Sequence, residues 1–182
     1  MPPSTPSTGR SILMLLGFLL LCFAVAGLGA QLAAPAIPTW YAHLNKPRFT
    51  PPNEIFAPVW SILYAMMAVS AWLVARAPRR RGRSGSLYSA KYAGSVEQGS
   101  ARLDALIVFY IQLAANLAWT YVFFHEHRLL VSAVGILVLW IALFFTILLF
   151  WRVRALAGVL LLPYLAWISF ATALNLVLLR LN

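Results

Sequence analysis

Residues 40–64, WYAHLNKPRFTPPNEIFAPVWSILY, decide how the rest of the chain is read. An aromatic pair, Trp40 and Tyr41, leads into Lys46, Pro47, Pro51 and Pro52. After Pro58 the stretch turns apolar around Trp60 and Tyr64. Proline fixes φ, removes a backbone donor and pushes the preceding residue toward extended conformations. Residues 46–53 are therefore not one continuous helix. A stiff aromatic segment between two apolar runs reads as a lid over the end of a helix bundle. The same composition describes an interfacial loop, because Trp and Tyr collect at membrane–water boundaries. Composition leaves both readings open.

Outward from this stretch, the solvent is set by composition. The chain has 182 residues, 62% of them hydrophobic and 10% charged, with a mean hydropathy of +0.82. A soluble domain carries a far smaller apolar share and about a quarter charged residues. Five apolar runs stand at about 12–34, 55–75, 105–124, 129–151 and 155–179. At about 1.5 Å rise per residue, each covers a hydrocarbon core of roughly 30 Å. The expected fold is an all-α membrane protein: a five-transmembrane-helix bundle with a proline- and aromatic-rich lid loop between helices 1 and 2. Residues 1–11 read as a disordered tail and 12–182 as a single transmembrane domain. The first run also fits a secretory signal, but it outlasts the usual 7–15-residue signal core, which favours a retained helix.

The net charge of +10 raises nucleic acid as a partner, and the placement of the cations argues against it. Arg10, the 76–102 cluster containing RRRGR, Arg152 and Arg154 put ten cations on one side of the bundle, against four on the other. The positive-inside rule accounts for this and places the aromatic loop away from the cytoplasm. Anionic lipid headgroups are the other reading of the basic cluster. The 76–104 linker, Gly/Ser-rich and basic, reads as a flexible solvated loop. The lone Cys22 excludes an intrachain disulfide and reads as a small buried hydrophobe.

Three helical faces carry the informative side chains. In segment two, Pro58 sits in the first turn, and Trp60, Tyr64 and Met67 share a face at i, i+4 and i+7. In segment three, Gln112 and Asn116 are four apart, with Trp119, Thr120 and Phe123 continuing the face. An amide in hydrocarbon needs a partner, so both amides face protein, ligand or water. An interhelical hydrogen bond and a pocket wall are both open for Asn116, while Gln112 reads as structural. In segment five, Tyr164, Trp167, Ala171, Leu174 and Asn175 share a face, and Pro163 should bend the helix beside it. The small residues Ala24, Ala26, Gly27, Gly29 and Ala30 of segment one read by default as close-packing positions, with a ligand-facing role open for a few of them.

Several chemistries find no residues to carry them. The four acids all lie outside the apolar cores, so no paired-carboxylate site is expected inside the bundle. No intramembrane ionisable group stands ready for ion coupling. The three histidines also lie outside the cores, which disfavours haem held by axial ligands. His125 and His127 beside Glu126 suggest a metal site, but at a membrane boundary no clear third ligand completes it. What remains is a pocket lined by aromatic rings, suited to a flat apolar ligand.

The quoted stretch resembles the tryptophan-rich sensory protein or translocator protein family (TspO/MBR, including the peripheral benzodiazepine receptor). The resemblance rests on Trp40, Tyr41, Leu44, Lys46, Pro47, Pro51 and Pro52, then Pro58, Trp60, Leu63 and Tyr64. QLAANLAWTYVFF at 112–124 and PYLAWISFATALN at 163–175 match as well. Phe49 stands where the family usually has Trp, and the 76–104 linker exceeds the family's short turn. The resemblance implies binding of porphyrins, protoporphyrin IX and haem among them, as ligands and not as resident cofactors. It also implies binding of isoquinoline-type drugs. The implied contacts are Trp40, Tyr41, Pro51, Trp60, Tyr64, Asn116, Trp119, Phe123, Trp167, Ala171 and Leu174. It further implies a homodimer, with Ala114 and Ala118 permitting close approach on helix three. A sensor or regulator of porphyrin metabolism in a bacterial envelope membrane is the leading expectation, with a mitochondrial outer membrane as the alternative. Light-dependent porphyrin degradation and porphyrin transport are the competing activities. Phe49 removes one oxidisable ring from the first of these. The tail NLVLLRLN lacks the Tyr of the family's sterol motif.

Overall fold

The computed structural model describes residues 8–77 and 90–182, with the backbone alone for 90–100. Helices are α1 (Thr8–Ala33), α2 (Asn53–Ala75), α3 (Ala90–Phe124), α4 (Leu129–Val153), α5 (Ala155–Leu160) and α6 (Leu162–Leu181). A short π-helical segment, Ile37–Tyr41, follows α1. Among the described residues there is no strand. α1 to α4 and the α5–α6 pair make five spans long and apolar enough to cross a membrane. The protein is a multi-pass membrane protein.

Helix ends differ from expectation more than helix cores do. α1 opens at Thr8, so the expected tail loses residues 8–11 to the helix, and the remainder lies outside the described residues. Adding residues to an established helix gains a hydrogen bond for each one fixed. α3 likewise begins at Ala90, so 90–104 is helix and not flexible loop. Ala, Lys, Glu, Gln and Arg in this extension are good helix formers, and they outweigh its two glycines once 105–124 has nucleated. Residues 78–89 of the expected loop lie outside the described residues. α2 starts at Asn53, which moves Pro58 beyond the first turn. The fifth span is broken at Leu161, and Pro163 takes an early position in α6, where its missing N–H costs little.

α4 is the centre of the packing, in contact with α2, α3, α5 and α6, while α1 lies along α2 and α3. The core at the α4–α5 end is built on Phe109 and Phe150, stacked at 5.8 Å, with Met67, Leu139, Leu143, Leu161 and Ile168 fully enclosed. Ser70 Oγ donates to the Ala157 carbonyl at 2.6 Å and joins α2 to the α4–α5 corner. That corner needs a glycine. A Cβ on Gly158 would sit 2.8 Å from Trp151 Cε3 and 3.2 Å from the Trp151 Cα. Large apolar side chains such as Leu13, Leu20, Leu130 and Val134 point outward, where lipid replaces water as solvent.

Candidate ligand-binding site

At the opposite end of the bundle the helices do not close on one another. A cavity of about 580 Å³ lies between α1, α2, α3 and α6, with the π-helical turn at its mouth. Such a volume is in the range of small-molecule sites. Phe56, Trp60 and Tyr64 of α2 form one wall, and Asn116, Trp119, Thr120 and Phe123 of α3 another. Trp167, Ala171, Leu174, Asn175 and Leu178 of α6 close the third side. The lining contains no Asp, Glu, Lys, Arg or His.

Each wall follows from helical spacing. Trp60 and Tyr64 are one turn apart, their rings tilted at 5.6 Å, and Trp60 meets Tyr164 edge-on at 6.0 Å. Met67, one turn further, is sealed in the core below the cavity, so a single face of α2 passes from void to packing. Trp119 and Phe123 repeat the arrangement on α3 at 5.7 Å. On α6, Trp167 meets Phe56 edge-on at 5.8 Å, across the gap between α6 and α2. Edge and tilted pairs hold ring faces and edges at fixed angles around the space.

Polar groups enter at two buried points. Tyr64 OH donates to Asn116 Oδ1 at 2.7 Å, and Asn116 Nδ2 donates to Tyr164 OH at 2.8 Å. This chain ties α2, α3 and α6 together and satisfies the amide the sequence placed in hydrocarbon. Asn175 Nδ2 donates to Ser132 Oγ at 3.2 Å, which fixes α6 to α4. The Trp119 indole nitrogen is buried with no hydrogen-bond partner. Asn116 has a second N–H beyond the one spent on Tyr164. Gln112 is fully buried outside the lining, with its Nε2 3.8 Å from the Met67 sulfur and its Oε1 unpartnered.

Of the eleven residues expected at the site, Tyr41, Trp60, Tyr64, Asn116, Trp119, Phe123, Trp167, Ala171 and Leu174 border the cavity. Trp40 and Pro51 do not. Trp40 turns away to stack on His127 at 4.3 Å and meets Phe123 edge-on at 5.4 Å. Tyr41 takes the inner position on this turn and borders the cavity. Burial pushes the Tyr41 phenol above its usual range, so it stays neutral at the cavity mouth. His127 itself holds a left-handed conformation, φ 56°, in the turn between α3 and α4.

The fourth wall is α1, whose small residues the sequence left open between close packing, the default, and a ligand-facing role for a few. Ala26, Gly27, Gly29 and Ala30 border the cavity together with Phe23 and Ala33. A Cβ on Gly27 would meet nothing within 4 Å, and one on Gly29 would only touch Thr120 Cγ2 at 3.7 Å. Small residues expected to pack helices closely instead leave room. Phe56 and Asn53 were missed, though Phe56 lies one turn and Asn53 two turns before Trp60 on the same face of α2.

Comparison with known proteins bears on these positions. The TspO/MBR family model matches residues 18–181, which include every wall of the cavity and the lid. The tryptophan-rich protein TspO of Chlorobaculum tepidum is 35% identical, covering 89% of this chain and 91% of the relative. The tryptophan-rich sensory protein of Cereibacter sphaeroides is 34% identical over 93% of this chain and 91% of its own length. The human translocator protein is 31% identical over 96% of this chain and 88% of its own length. With five spans, a proline-stiffened first loop and a match along nearly all its length, the chain belongs to the TspO/MBR family.

Proposed function

We propose that the chain is a membrane tetrapyrrole-binding sensor or regulator of porphyrin metabolism, holding protoporphyrin IX or haem between its helices under the first loop. One observation carries this reading: a cavity of about 580 Å³ walled by Trp60, Trp119, Trp167, Tyr64 and Phe123 and free of charged side chains. Aromatic faces supply stacking area for a planar guest. The name of the Cereibacter sphaeroides relative supports the sensory role. A bacterial envelope membrane is the proposed location. The exposed small residues Ala114 and Ala118 on α3 support a homodimer through that face.

Quenching of tryptophan fluorescence by protoporphyrin IX tests the binding. The wild type is expected to quench saturably, and Trp167→Phe and Asn116→Leu are expected to weaken the titration by about tenfold or more, the loss of one good contact each. Identical titrations in all three proteins would refute the site. A second reading, light-dependent porphyrin degradation, is favoured by the three oxidisable indoles on the lining. It predicts porphyrin loss under illumination above free-dye bleaching, abolished when Trp60, Trp119 and Trp167 are all replaced by Phe.

A further inference from the structure

The lid is held to the far end of α6 by a reciprocal set of hydrogen bonds. Asn182, one residue past α6, accepts from the Asn45 backbone N–H through Oδ1 at 2.9 Å. Its Nδ2 donates back to the Asn45 carbonyl at 3.2 Å and to Leu178 O of its own helix at 2.9 Å. The Asn45 side chain in turn donates to Leu181 O at 3.3 Å. One carboxamide thus reads both backbone groups of a single lid residue, as a neighbouring strand would. The Asn45 bond also satisfies the Leu181 carbonyl, one of those that the last turn of a helix leaves without partners.

The place of this contact gives it leverage. Asn45 stands where the arm carrying Pro47, Pro51 and Pro52 leaves the π-helical turn. Prolines remove soft dihedrals, so the arm moves as a unit about its fixed points. One fixed point is the start of α2. Beyond the clasp, the arm meets α6 through an edge contact of Phe49 with Phe170 at 6.2 Å, and Phe49 is itself half exposed. Leu44 packs against the cluster of Tyr41, Phe123, Leu174 and Leu178, all four of which line the cavity, while Leu44 itself does not. Neither Asn45 nor Asn182 borders the cavity.

We propose that Asn45 and Asn182 form a clasp that holds the lid arm down on α6 and sets the rate at which the cavity opens. They act as positioning residues and make no contact with the guest. The ligand half of this inference rests on the proposed function, whereas the opening rate does not. Breaking a clasp that lies outside the site lowers the barrier for association and dissociation alike. Affinity is then nearly unchanged while both rates rise.

The test uses the full chain in lipid nanodiscs, with Asn182→Leu and Asn45→Ala. Asn182→Leu removes both bonds to the lid backbone, whereas Asn45→Ala leaves them and removes only the bond to Leu181. Amide exchange of residues 42–50 is expected to rise about tenfold in Asn182→Leu and about threefold in Asn45→Ala, with exchange in α2 and α4 unchanged. Stopped-flow mixing with protoporphyrin IX should give association and dissociation rates both raised about fivefold in Asn182→Leu, with Kd within about twofold of wild type. Unchanged lid exchange in both variants overturns the clasp. So does a general loss of protection in every helix, which would mark a merely structural role. So does a dissociation rate that rises alone. Should the wild type take up no protoporphyrin IX, the ligand reading fails separately, and lid exchange alone decides for or against the clasp.

Discussion

An amide in the hydrocarbon region has to be paired, and Asn116 is paired twice, accepting from Tyr64 and donating to Tyr164. Replacing it by Leu strands two buried hydroxyls, so Asn116→Leu should destabilise the fold by about 1–3 kcal/mol. Thermal unfolding in detergent with Tyr64→Phe and Tyr164→Phe as companions checks this. Combining Asn116→Leu with both phenylalanines should recover part of the loss, because no hydroxyl is then left unpaired. That Asn116 needs a partner was legible in the sequence for the reason that makes the mutation costly: an amide in an apolar run demands one, whether from a helix or a guest. Gly27 was not legible. In lipid a small residue can mark close packing or a void, and only the open space beside it separates the two. Gly27→Leu should therefore leave the melting temperature within about 0.5 kcal/mol equivalent of wild type while lowering ligand affinity. A strongly destabilised protein would mean that α1 packs tightly there after all.

Helix cores could be read from runs of apolar residues, and helix ends could not. The run at 105–124 marks where hydrocarbon begins, but α3 continues back to Ala90 because propagation needs only fair propensity and no burial. Pro163 announced a disturbance in the fifth span, and the chain breaks at Leu161, the residue before α6 begins. The corner between α4 and α5 carries the sharper constraint. A methyl group at Gly158 would press on the backbone of Trp151 as well as its ring, and backbone cannot rotate aside. Gly158→Ala should cost about 1–3 kcal/mol, the range for overpacking a tight site. The check is the unfolding midpoint set against Gly17→Ala on α1, where the added methyl meets nothing within 4 Å. Equal midpoints would show that the corner relaxes freely.

Across the whole molecule, the two ends of the bundle do different work. One end is filled by Phe109, Phe150 and their neighbours, and this solid half fixes the angles at which the helices diverge. The other end is left open beside small residues of α1 and Ala171 of α6, with Ile37 and Tyr41 of the π-helical turn at its mouth and the proline arm tied to α6 beyond them. That a non-helical arm stands between α1 and α2 was legible from residues 40–64, since helix cannot pass through Pro47, Pro51 and Pro52. Which aromatic faces inward was not, because Trp40 and Tyr41 look alike until the π-helical turn divides them. The functional reading requires that the open half be a binding space and not merely loose packing. Titrating protoporphyrin IX into Ala171→Phe, with Leu162→Phe on the lipid face as control, tests this most directly. Ala171 borders the cavity and Leu162 is 43% exposed, so the first ring fills the void and the second meets lipid. The expected result is affinity reduced by about tenfold or more in Ala171→Phe, with a melting temperature no lower than wild type, and no change in the control. Undiminished binding in a stably folded Ala171→Phe protein would contradict the account.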